Sequence, residues 1–171
     1  MKPIFLVGFM GTGKSSVAKR LAAVLSIPYV DMDAAIEERA GRKIADIFAK
    51  DGEPAFRALE LDMLLELSAK TDLVVSCGGG VVIDPANRAT MREQGLAVCL
   101  DATAETVYER IRHETHRPLL RVADPLQEIK ILMLKREPFY QDILHHVSTD
   151  RQPVDAVVMH ICSLLKECRH G

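Results

Sequence analysis

Apolar positions in this chain fall into short runs separated by longer stretches whose apolar residues recur at helical spacing. Residues 3–7, 29–31, 73–76 and 96–100 read as strands, with 147–149 as a fifth. Past the first run, Val17, Leu21, Val24 and Leu25 line one face of a helix over 16–25, with Lys19 and Arg20 turned outward. Another helical pattern covers 53–69. A third carries its own punctuation: Asp84 as cap, Pro85 in the first position, and Gly95 as terminator after Gln94. This strand-then-helix rhythm predicts an α/β fold, a parallel sheet sandwiched by helices. Ligands bind such sheets beyond the carboxyl ends of the strands, so the residues after each strand are the candidates for chemistry.

Composition narrows the reading. The 171 residues, 48% of them hydrophobic, suffice for one domain spanning 1–171, and no internal repeat or linker divides them. No apolar run approaches the roughly 20 residues of a membrane span, and no charged-then-apolar leader precedes the first strand, so no membrane partner and a cytoplasmic location are expected. A net charge of −2 argues against a nucleic-acid partner and for a small substrate. Cys77, Cys99, Cys162 and Cys168 show neither C-x-x-C pairing nor zinc spacing, which predicts buried or inert thiols in a reducing compartment. Cys77 is set apart by the glycine run that follows it.

The strongest chemical signal is Gly8-Phe9-Met10-Gly11-Thr12-Gly13-Lys14-Ser15, a complete G-x-x-x-x-G-K-[ST] loop delivered by a strand and continued by a helix. Its glycines let backbone N–H groups curl around an anion, and the helix N-terminus adds partial positive charge. Lys14 supplies a point charge for the β- and γ-phosphates, and the Ser15 hydroxyl is placed to ligate Mg²⁺. Nucleoside triphosphate binding follows.

Three further segments describe a second substrate. Asp31-Met32-Asp33 would place two carboxylates on one face of a strand, Asp31 for the water shell of Mg²⁺ and Asp33 for a substrate hydroxyl and its proton. The plainer role for Asp33 is N-cap of a helix beginning at Ala34. Ser76-Cys77-Gly78-Gly79-Gly80 offers no acid at the end of the third strand, but its glycines admit close approach of a ligand to the Gly79 N–H, unless they form only a flexible loop. Arg57 and Glu60, three apart on a helix beside Phe48 and Phe56, form a clamp suited to a small carboxylate.

These marks, with Arg117-Pro118-Leu119-Leu120 and Lys135-Arg136-Glu137-Pro138-Phe139-Tyr140 in the same order, resemble shikimate kinase over essentially the whole chain. The resemblance implies a P-loop NTPase fold of the nucleoside-monophosphate-kinase-like type with a five-stranded parallel sheet. It implies transfer of the ATP γ-phosphoryl to the 3-hydroxyl of shikimate, on the way to chorismate and the aromatic amino acids. Lys14, Asp33 and Arg117 would be catalytic. Gly11, Thr12, Gly13, Lys14, Ser15, Ser16, Arg110, Arg117 and Gln152 would meet ATP, and Asp33, Arg57, Gly79, Gly80 and Arg136 would meet shikimate. Mg²⁺ would be held by Ser15 and, through water, Asp31. Substrate-binding helices would cover about 33–60 and a mobile lid about 112–124, the lid carrying His113 and His116 beside Arg117. The chain is expected to act as a monomer. Two alternatives stand beside this one: a related kinase acting on gluconate or a nucleotide, and a nucleotide-binding module without turnover.

Overall fold

In a computed structural model that describes residues 1–170, five parallel strands form one sheet. They are β1 (Ile4–Val7), β2 (Tyr29–Asp31), β3 (Val74–Ser76), β4 (Leu96–Asp101) and β5 (His145–Ser148), in the spatial order β2-β3-β1-β4-β5. Ile4 and Phe5 pair with Val74 and Val75 on one side and with Leu96 and Ala97 on the other. Because β1 is covered on both faces, its four residues are all buried, which is why it reads as an unbroken apolar run rather than an alternating one. The alternation is still present in three dimensions. Phe5 and Val7 face one core with Val75 and Cys99, whereas Ile4 and Leu6 face the other with Val74, Val98 and Leu100.

Two helices close the second of these faces, α1 (Lys14–Leu25) and the C-terminal α8 (Val154–His170). The first face is covered by α2 (Met32–Ala40), α3 (Ile44–Asp51), α4 (Glu53–Ser68), α5 (Pro85–Gln94), α6 (Ala104–Ile111) and α7 (Pro125–Gln141). No helix among the described residues is long and apolar enough to cross a membrane. The sheet order places a topological switch at β1: the chain fills the β3–β2 side first and then moves to β4 and β5, opening a crevice at the carboxyl end of β1.

Several expectations are corrected in detail. On α1 the buried stripe is Val17, Ala18, Leu21 and Ala22, and Val24 is exposed, because α8 and β3 meet the helix one position further round. The fifth strand starts at His145, two residues before its expected beginning. Gly95 does end α5, but in extended backbone at φ −147; a side chain there would collide with the Phe5 ring and stand 2.7 Å from the Pro3 carbonyl oxygen. Cys77 and Cys99 are buried as expected, while Cys168 is exposed on α8.

Candidate active site

The loop between β1 and α1 forms one wall of a cavity of about 290 Å³. Gly8 opens the loop at φ 144, where a side chain would also stand 2.5 Å from the Leu100 carbonyl oxygen, and Gly13 caps α1 at φ 96. Both positions thus require glycine. Lys14 folds back on the loop, its ammonium donating to the carbonyls of Gly8 at 2.8 Å and Phe9 at 3.0 Å. Burial pulls its pKa down to about 8, against the charge of Asp33, which favours the ammonium. The Thr12 hydroxyl donates inward to the Phe9 carbonyl at 2.8 Å, so Thr12 offers a phosphate its backbone rather than its side chain.

Asp31 ends β2 and caps α2, its Oδ1 accepting from the Ala34 N–H at 3.1 Å. Two corrections follow. The cap is Asp31 rather than Asp33, and Asp33 lies in the first turn of α2, so the two carboxylates do not share a strand face. Both still line the phosphate cavity, because the tight strand-to-helix turn brings the helix end back over the loop. The second Asp31 oxygen lies 3.4 Å from the Ser15 hydroxyl, which is 3.5 Å from the hydroxyl of Ser76. This group of hydroxyl and carboxylate oxygens suits a hard cation such as Mg²⁺.

Asp33 Oδ1 is buried with no hydrogen-bond partner among the described residues. Burial first, and the negative charge of Asp31 second, raise the pKa of its carboxyl. A buried acceptor without a donor awaits one from a ligand. Arg57 donates to Glu60 at 2.8 Å and to Glu53 at 3.3 Å, and its guanidinium sits 5.3 Å from the centre of the Phe56 ring. Glu60 is only 1% exposed, and burial raises its pKa, opposed by Arg57. Phe48 packs against Phe56 at a tilt of 38°, with centroids 4.8 Å apart, completing the apolar wall anticipated from the sequence.

The glycine run joins these groups. A side chain at residue 78 would begin 2.7 Å from Asp33, at 79 it would begin 3.5 Å from Arg136, and at 80 it would begin 2.5 Å from Arg57. Each glycine therefore lies against one of the three side chains expected to hold the acceptor. Asp33 and Gly79 open directly on the phosphate cavity; Arg57, Gly80 and Arg136 adjoin it across the run. The Tyr140 hydroxyl donates to the Gly79 carbonyl at 2.6 Å, and burial pushes its pKa up to about 12, so it stays a donor. Arg136 also lies over the Phe9 ring at 5.8 Å. Sequence patterns alone assign no role to Tyr140 or Phe9. The signal was present, since both belong to the motifs that carry Arg136 and Lys14. The Cys77 thiol is buried, and burial drives its pKa up, which leaves it inert.

Arg117 reaches the same phosphate cavity, where it is paired with Glu114. Arg110 does not line the cavity. Its guanidinium donates to the carbonyl of Gly11 at 3.1 Å and to the hydroxyl and carbonyl of Thr149 at 3.0 and 2.8 Å, tying the phosphate loop to the segment after β5. Gln152 sits exposed in that segment, away from the cavity walls, with its N–H donating to the Thr149 carbonyl at 3.3 Å. Ser16 and Gly11 do line it.

The arrangement is thus a phosphate cradle facing a small cleft with an acid, two guanidiniums and a bare backbone. Comparison with known proteins agrees with it. A family model described as shikimate kinase matches residues 10–166. The chain is 41% identical to a shikimate kinase of Pelotomaculum thermopropionicum over 98% of this chain and 97% of that one. Its structure matches a shikimate kinase from Acinetobacter baumannii in complex with shikimate with a TM-score of 0.90 and 33% identity, covering 98% and 94% of the two chains. A gluconokinase from Sinorhizobium meliloti, 18% identical with a TM-score of 0.56 over 92% of this chain and 87% of that one, shares the fold alone. A family model over residues 10–166 and a relative 41% identical over nearly the whole of both chains point the same way, and the chain belongs to the shikimate kinase family.

Proposed function

We propose that this chain transfers the γ-phosphoryl group of ATP to the 3-hydroxyl of shikimate, giving shikimate 3-phosphate and ADP. The observation that carries this reading is the packing of Asp33, Arg136 and Arg57 against three consecutive glycines beside the phosphate loop. Two guanidiniums are suited to grip the single carboxylate of the acceptor, and the unpartnered Asp33 oxygen is suited to accept from its hydroxyl. The raised pKa of Asp33 makes it a better proton acceptor than an ordinary carboxylate as the oxygen attacks phosphorus.

Lys14 swings from the loop carbonyls to the β- and γ-phosphates, with the N–H groups of Gly11, Thr12, Gly13, Ser15 and Ser16 around them. Ser15 and, through water, Asp31 would hold Mg²⁺, which when bound would neutralise charge on the phosphates. The segment 112–124 acts as a lid whose Arg117 exchanges Glu114 for the phosphates and whose closure expels water. Arg110 and Gln152 flank the adenine. The chain works as a monomer in the cytoplasm, where its four unpaired thiols remain reduced.

A coupled assay for ADP release tests the reading. Shikimate should drive turnover, while gluconate and nucleoside monophosphates should not. Lys14→Met and Asp33→Ala should abolish turnover, and Arg57→Ala should mainly raise the KM for shikimate. Preference for gluconate or a nucleotide, or ADP binding with no shikimate-dependent turnover, would overturn it.

A further inference from the structure

A second cavity, of about 570 Å³, lies between the β4–β5 side of the sheet and α7 and shares no wall residue with the phosphate cavity. Its floor carries three side chains that sequence spacing keeps apart. Cys99 and Asp101, two apart on β4, point to the same face, and the strand register sets His146 of β5 directly beside Cys99. Cys99 Sγ lies 3.4 Å from Asp101 Oδ1, and His146 Nδ1 lies 2.8 Å from Asp101 Oδ2. The ligand atoms of all three residues fall within 4.8 Å of one another.

The imidazole's second nitrogen gives this cluster a direction. His146 Nε2 lies 3.0 Å from the Ile143 carbonyl oxygen, which can only accept, so Nε2 bears a hydrogen. In the neutral ring Nδ1 then carries a lone pair and faces a carboxylate. Two acceptors so close need a positive charge between them, either a proton or a metal ion. A backbone carbonyl bonded to the far nitrogen is the arrangement that orients metal-binding histidines.

We propose that Cys99, Asp101 and His146 form a binding site for a divalent cation of the zinc class, with its remaining coordination position open to the second cavity. The ligand set of thiolate, imidazole and carboxylate selects Zn²⁺ or Co²⁺ over Mg²⁺, which prefers the oxygen group around Ser15 and Asp31. On binding, the Cys99 S–H bond breaks and the proton held between His146 Nδ1 and Asp101 is displaced; both protons pass to solvent, and the sulfur and Nδ1 electron pairs go to the cation. The half-exposed Asp101 and His146 side chains give the ion a path from solvent to the buried sulfur.

Titration of the chelator-treated full chain with Co²⁺ alone, followed by absorption, tests the site. One equivalent should produce a thiolate-to-cobalt charge-transfer band that Zn²⁺ abolishes and excess Mg²⁺ does not. Cys99→Ser should remove the band. His146→Gln, on an exposed position of the edge strand, should weaken binding by more than the about 10–100-fold typical of an outer-shell partner, and it decides the matter if Cys99→Ser lowers the melting temperature. Cys168 lies 4.0 Å from His145 at the surface and is the competing thiol, so Cys168→Ser should leave the titration unchanged. A band that survives both Cys99→Ser and His146→Gln, one that disappears in Cys168→Ser, or no band in the unaltered chain would overturn the proposal; the last outcome would leave only a proton between His146 and Asp101.

Discussion

Gly80 lies so close under Arg57 that a Cβ at residue 80 would stand 2.5 Å from one guanidinium nitrogen and 2.7 Å from the other. The backbone of Gly80, at φ −95, is ordinary for any residue, so the demand for glycine here comes from contact alone. Ion pairs to Glu60 and Glu53 hold Arg57 in that place.

Gly80→Ala should therefore push the guanidinium off its position without unfolding the chain. A displaced charge-assisted hydrogen bond costs about 1.5–3 kcal/mol, or roughly a 10–150-fold rise in KM for shikimate. The KM for ATP should stay near its starting value. Steady-state kinetics with each substrate varied in turn measures both, and an unchanged shikimate KM would remove Arg57 from the acceptor site.

Glu60 acts through Arg57. Glu60→Ala deletes a buried acceptor and leaves the guanidinium to Glu53 alone, so the shikimate KM should rise about tenfold and stability should fall by about 1–3 kcal/mol. Glu60→Gln keeps the shape and an acceptor oxygen and should restore most of the affinity. Isothermal titration with shikimate separates the cases. Equal weakening by both variants would mean that the charge of Glu60, rather than its hold on Arg57, is what matters.

The sheet and its helices were readable because burial on both faces leaves apolar runs, and because the phosphate loop reports its own strand and helix. Contacts that depend on where elements cross were not readable. Spacing alone put Val24 on the buried stripe of α1, but only the position of α8 and β3 decides which side of that helix is covered. Asp31 and Asp33 looked like a strand pair because nothing in the letters says that the strand stops at 31 and the helix starts at 32. The one-to-one packing of Gly78, Gly79 and Gly80 against Asp33, Arg136 and Arg57 joins four segments far apart in sequence, as does the bond from Tyr140 to Gly79. The family resemblance assigns Arg110 to the nucleotide, whereas its bonds to Gly11 and Thr149, which join distant segments, make it a brace between loops.

Lys14 and Asp33 together set a pH profile. Lys14 is cationic below its pKa of about 8 and neutral above it, so kcat/KM for ATP should fall about tenfold per pH unit on the alkaline side of 8. Asp33 must be ionised to accept a proton, and burial raises its pKa, so the acid limb should lie above the ordinary carboxylate value of about 3.9. A full profile with both substrates well below their KM values reads the groups of the free enzyme and gives both limbs. In Lys14→Arg, the alkaline limb should vanish from whatever activity remains, because a guanidinium stays charged. An alkaline limb retained in that variant would assign it to another group.

The pairing of Arg117 with Glu114 predicts a competition that can be measured. The Arg117 guanidinium is paired with a carboxylate three residues earlier, with both side chains about a third exposed. Exposed ion pairs of this kind are worth about 0.2–1 kcal/mol, and that is the amount ATP must overcome to draw Arg117 onto its phosphates. Glu114→Gln should accordingly tighten ATP binding by about 1.4–5-fold, with the shikimate affinity unmoved. Arg117→Ala should lower kcat by about 10²–10³, as expected for loss of a group that stabilises transition-state charge. Combining the two substitutions should give the Arg117→Ala value alone, since Glu114 then has nothing to withhold. If Glu114→Gln weakens ATP binding instead, the carboxylate orients Arg117 toward the phosphates rather than competing with them, and the pair would be part of the closed site rather than a latch on the open one.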